Sequence, residues 1–140
     1  MDNGMTVKDW LGRGIGIELR IRSLERSKEK SYSMVTSAVA QASGDMVSHS
    51  GVSRPSEEYS LLSAEVDEQL HEWDAVTAEI TKAIGRIGNH VYAALLQNRY
   101  VVGMSWEQIA DEIGYSDDYV KHGLFERAIT AFEAVMKKDT

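Results

Sequence analysis

The stretch SWEQIADEIGYSDDYV, Ser105–Val120, decides how this chain folds. Ser105 opens a helix whose Trp106, Ile109, Ala110 and Ile113 recur on one side, the spacing of a buried helical face. Gly114 closes that helix, as glycine does where the chain must turn left-handed at a helix end. Ser116 caps a third helix, with Tyr119, Val120, Leu124, Ala128 and Phe132 available for packing. Small Ala110 lets two helices cross closely, Gly114 makes the turn, and branched Val120 anchors the second helix. Those are the steric needs of a helix-turn-helix, expected here between Ser105 and Arg127. Just upstream, a short helix from Tyr92 to Val101 ends near Gly103.

Working outward, the strongest helical pattern precedes that unit. Ser56 suits a cap, and Glu57 and Glu58 suit the positive end of a helix. Apolar positions then repeat every seven residues. One set is Tyr59, Val66, Trp73, Ile80 and Ile87; the other is Leu62, Gln69, Val76, Ala83 and His90. Such a stripe needs a partner, and the nearest is the first segment, from about Thr6 to about Ala42. There Trp10, Ile17, Ile21, Leu24, Val35, Ala38 and Ala42 share a face. Thr6 followed by Asp9 is a capping-box-like start. Lys28 and Ser31 fall on the apolar stripe and predict an interruption near them. Ser43 to Pro55 reads as an exposed, mobile loop, and Gly85 and Gly88 as a break before the C-terminal unit. The expected fold is all-α: a long antiparallel, coiled-coil-like helical hairpin over residues 1–91, then a helix-turn-helix unit over residues 92–140. Tyr59, Leu62, Val66, Trp73, Val76 and Ile80 are the expected oligomerisation seam, making the chain a homo-oligomer.

Composition narrows the function classes. The chain has 140 residues, 43% of them hydrophobic, one proline and no cysteine, so long helices are favoured and disulfides and thiolate metal sites are excluded. No apolar run reaches the roughly 18 residues of a membrane span, and no secretory signal is seen; a cytoplasmic protein is expected. The net charge is −7, which speaks against a surface that clamps nucleic acid on all sides. The charge is unevenly placed: residues 1–42 carry seven basic and five acidic groups, residues 43–91 three and nine, residues 92–140 five and eight.

The string RYVVGMSWEQIADEIGYSDDYVKHGLFERAI, Arg99–Ile129, resembles region four of bacterial sigma factors. More closely, it resembles the phage-encoded regulators of late operons, of the RinA and ArpU type, and an uncharacterised phage family related to them. Met5 to Leu11, MTVKDWL, is similar to the helix start of those related chains, and the polar loop and heptad helix follow in the same order. The resemblance implies a phage or prophage origin, a bacterial host cell, and control of transcription through DNA, polymerase, or both. Two positions depart from the pattern. Gly123 stands where a larger side chain is usual, and Ala128 falls one residue late relative to Val120, so a kink or shift is expected at Gly123.

Candidate DNA-contacting residues are Ser116, Tyr119, Lys121, His122 and Arg127 on the third helix. Lys121 and His122 suit a phosphate or a base edge, or equally a solvated face. Trp106 belongs in the core, whereas Tyr119 reads either as core or as a ring that stacks on bases. Asp117 and Asp118 stabilise the positive end of the helix but sit where a reading helix meets its groove. The basic Arg20, Arg22, Arg26, Lys28 and Lys30 are expected to pair with the acidic middle helix. No two histidines have metal-ligand spacing, and no phosphate loop or nucleophile motif occurs, so neither a cofactor, a metal nor an enzyme is expected. The expectation is a transcription regulator that binds double-stranded promoter or operator DNA. The alternative is a protein-interaction module that binds RNA polymerase, a sigma factor or another phage or host protein.

Overall fold

A computed structural model describes residues 4–42 and 50–138, with side chains described for 4–37 and 57–138. Every regular element among the described residues is helical. In order they are α1 (Val7–Leu11), α2 (Arg13–Ala42), α3 (Ser50–Ile84), α4 (His90–Gln97), α5 (Trp106–Ile113), α6 (Asp117–Tyr119) and α7 (Phe125–Lys138). Two wide, π-helical turns join them: Asn98–Val102 continues α4, and Val120–Leu124 links α6 to α7. No helix among the described residues is long and apolar enough to cross a membrane.

The chain packs as two compact units, Met1–Gly16 with Asp74–Thr140, and Ile17–Trp73. This differs from a division at residue 91. The reason lies in the first unit's core, which is completed by Leu11 of α1 and by Ile80, Ala83, Ile84 and Ile87 at the end of α3. These surround Leu95, Leu96, Ile109, Ala110, Val120, Leu124, Phe125, Ala128, Ile129 and Phe132. Helices of eight residues, such as α4 and α5, are marginal alone in water. Burial stabilises them, each fully covered leucine, isoleucine or phenylalanine contributing about 1.5–3 kcal/mol.

Local chemistry sets the ends of these elements. Thr6 and Asp9 form the capping box of α1 reciprocally, and Asn89 Oδ1 accepts from the Val91 and Tyr92 N–H groups at the start of α4. Ser105 and Gln108 form a second capping box on α5. Gly103 and Gly114 both adopt left-handed backbone, φ +88° and +91°, the conformation that side chains disfavour. Gly114 donates to the Ala110 carbonyl at 2.8 Å, closing α5.

The N-terminal helix is fastened by specific contacts. Lys8 Nζ pairs with Glu126 at 3.0 Å and lies 5.2 Å from the Phe125 ring centre. Trp10 packs on Phe132 at 5.7 Å between ring centres. The Arg13 guanidinium covers Trp10 at 4.4 Å and pairs with Glu79 at 3.2 Å.

The second unit contains most of α2 and most of α3. Tyr32 meets Tyr59 at 5.8 Å, and Glu25, Lys28, Tyr32, Tyr59 and Val66 line one open cleft. Ile21, Leu24, Val66 and Ser31 are its buried side chains among the described residues. The interruption expected near Lys28 and Ser31 is absent. Ser31 is small enough to be buried at an interhelical position, and Lys28 keeps its stem on the seam with its ammonium 5.4 Å from the Tyr59 ring centre. Arg22 pairs with Glu18 of its own helix at 3.6 Å, not with the acidic α3. The backbone of α3 is helical from Ser50, so it begins upstream of Ser56 and takes in Pro55. Pro55 stands five residues after Ser50, past the first four N–H groups that lack a helical partner, so it removes one N–H bond from the helix. Residues 43–49 of the expected loop, and the side chains of Ala38 and Ala42, lie outside the described residues.

Candidate nucleic-acid interface

The region of interest begins at the turn after α5. Tyr115 and Ser116 bridge from Gly114, and the Ser116 hydroxyl accepts the Tyr119 N–H at 3.2 Å, starting the next helix. Asp117 and Asp118 fill the first turn, where the N–H groups favour negative charge. Val120 is fully buried directly beneath it.

The wide turn that follows explains both departures seen in the sequence. The Phe125 N–H donates to the Val120 carbonyl five residues back rather than four, so one extra residue is taken into the helix. The inward set therefore runs Val120, Leu124, then Phe125, Ala128, Ile129 and Phe132. A uniform α-helix from Val120 would have turned Arg127 and Ala131 inward instead of Ile129 and Phe132. Ala128 is late by one residue because the turn holds one residue more. Gly123 lies inside this turn, against Tyr119: a Cβ there would stand 3.1 Å from ring Cδ1 and 3.2 Å from Cε1.

The expected contact residues are all exposed: Ser116, Tyr119, Lys121, His122 and Arg127. They are not one cluster. Arg127 Nη1 donates to the Tyr119 hydroxyl at 3.1 Å, with its guanidinium carbon 5.9 Å from the ring centre. His122 Nε2 lies 3.8 Å from Asp118 Oδ1, one turn back. Ser116 is engaged as a cap. Tyr119 is thus not a core ring, being 38% exposed, whereas Trp106 is half-buried and meets Phe125 edge-on at 4.8 Å.

Two further participants stand beside these residues. Tyr115, whose ring the sequence offers either to bases or to the core, is 53% exposed and meets the Tyr119 ring at 5.0 Å, tilted by 52°. Gly123 is the second, and only its departure from the region-four pattern marked it. Beyond Arg127 a shallow depression of about 380 Å³ is lined by Glu126, Arg127, Thr130 and Ala131. Carboxylates are close by: Asp111 and Glu112 on α5 and Asp117 and Asp118 on α6 are all exposed. Among the described residues no group of three or more histidines and carboxylates is arranged to hold a metal ion.

Comparison with family models, curated proteins and solved structures finds no match to this chain.

Proposed function

We propose that this protein is a transcription regulator that binds double-stranded DNA through a helix-turn-helix formed by α5, the Gly114 turn and the α6–α7 segment. One observation carries the reading. Lys121, His122, Arg127 and Tyr119 are exposed on a helix whose Val120, Leu124 and Ala128 are buried in the core. In this geometry the second helix enters the major groove with its first turns at the base edges. The phage late-operon regulators that the sequence resembles supply the biological setting: a phage or prophage protein in the bacterial cytoplasm. A homo-oligomer built on α3 belongs to the same proposal, and light scattering that returns a single-chain mass at high concentration would remove that part.

The test is titration with a mixed-sequence duplex at two salt concentrations. Wild-type affinity should fall steeply with salt, and Lys121→Ala and Arg127→Ala should each lower the salt slope by up to about one while leaving thermal stability nearly unchanged. A wild-type affinity indifferent to salt, or slopes unmoved by either change, would refute DNA reading.

A second reading has its own observation. Asp111, Glu112, Asp117 and Asp118 are exposed and outnumber the basic groups of the same surface. Four carboxylates suit the basic surface of a protein such as RNA polymerase or a sigma factor better than a phosphate backbone. Asp117→Asn with Asp118→Asn decides between the two. A DNA reader should bind the duplex more tightly once those charges are gone; a protein-docking module should lose its protein partner and show no change towards DNA.

A further inference from the structure

Tyr119, Gly123 and Arg127 follow one another at intervals of four along the exposed segment. Because Gly123 has no side chain, the Tyr119 ring lies down against the helix, where a Cβ would crowd it at 3.1 Å. Tyr115 backs the ring at 5.0 Å, and the phenol hydroxyl accepts from Arg127 at 3.1 Å. An exposed arginine ordinarily samples many rotamers, and fixing it on binding opposes affinity. Here the phenol already fixes it. The neighbouring carboxylate, Glu126, is paired with Lys8 at 3.0 Å.

We propose that Tyr119 is a positioning residue that, lying flat over Gly123, holds the Arg127 guanidinium ready for a phosphate of the nucleic-acid backbone. The inference rests on the DNA-reading proposal and deepens it. Arg127 comes ten residues after Asp117, past the first turns that meet base edges in this geometry, so its natural target is the backbone. A guanidinium has five N–H donors, and the phenol uses one at Nη1, leaving others for a phosphate. The depression beside Arg127, bordered by Thr130 and Ala131, leaves room for that group.

The closing experiment is a double-mutant cycle read by titration of a mixed-sequence duplex at low salt. Tyr119→Phe keeps the ring and removes only the hydroxyl. It should weaken binding about three- to tenfold, the range of one hydrogen bond, with the thermal midpoint unchanged. In an Arg127→Ala background the same change should have no further effect. Gly123→Ala should weaken binding by less than Tyr119→Phe, by shifting the ring a few tenths of an ångström, and should be silent in a Tyr119→Ala background, where there is no ring to shift. Suppose Arg127→Ala weakens binding but Tyr119→Phe is neutral, or its effect adds in full to that of Arg127→Ala. The positioning role is then overturned while DNA reading stands. If Lys121→Ala and Arg127→Ala both leave duplex affinity at the wild-type value, DNA reading itself fails and the positioning role falls with it.

Discussion

The two packing units are made of the same material and hold together differently. In the unit containing α4–α7, fifteen buried apolar side chains meet in one cluster, drawn from α1, the end of α3, the Ile87 connection and the C-terminal helices. In the α2–α3 unit the buried apolar side chains among the described residues are Ile21, Leu24 and Val66. Yet the heptad pattern is far more regular in α3 than anything in α4–α7. A regular stripe fixes which face of a helix turns inward. It does not fix how many neighbours that face will meet. Among the described residues, the short helices around the Gly103 and Gly114 turns bury more apolar side chains than the regular stripe of α3 buries in its own unit.

That contrast can be broken by measurement. Phe132→Ala, at a fully buried ring against Trp10, should cost about 3–5 kcal/mol. Val66→Ala in the α2–α3 unit should cost only about 1–2 kcal/mol, two methyl groups' worth of burial. Denaturant melts of the two variants, with hydrogen exchange to assign the loss to a unit, give the comparison; equal losses would show that both units are equally cored.

Gly114→Ala should be smaller than the phenylalanine change, about 1–2 kcal/mol, because it forces a side chain onto left-handed backbone at φ +91°. The same melts check it. A loss above that range would mean that the turn governs more of the bundle than its own conformation.

The gentlest probe is pH. Burial pushes the Tyr100 hydroxyl up to about 12 from its ordinary value of 10.0, with nearby Arg99 partly opposing. The folded chain therefore keeps this proton where the unfolded chain releases it. The stabilisation is complete below about pH 10 and is lost as pH rises from 10 towards 12. Alkaline melts should show that decline in wild type, and Tyr100→Phe should remove this part of it. A wild-type decline that survives the substitution unchanged would assign it to other groups.

How much could be read from the residues divides along local and distant chemistry. Thr6 with Asp9, Gly103, Ser105, Gly114 and Ser116 each act within a few residues of themselves, and each acts as read. The outward positions of Lys121 and His122 followed from the same periodicity, whereas that of Arg127 depends on the wide turn. Lys28 and Ser31 misled because polarity alone does not break a helix when one residue is small and the other has a long apolar stem. The Ala128 offset was visible, but its cause, an added residue in a wide turn, depends on where Phe125, Ile129 and Phe132 find space in the core. Contacts such as Lys8 with Glu126 join residues 118 apart, and no window of sequence contains both. The Tyr119–Arg127 bond lay within reach of one helix, but it depends on a glycine whose role is to be absent.

The Lys8–Glu126 and Trp10–Phe132 contacts also set an order of events during synthesis. The ribosome delivers α1 first and α7 last. When the chain has been made as far as Tyr119, α2 and α3 have their partners, but Leu11 and Trp10 still lack the helix that covers them. The unit proposed to meet DNA closes only once Phe132 has left the exit tunnel. Trp10 and Leu11 of α1 are therefore made long before the helix that covers them, a window in which two growing chains can exchange their α1 helices.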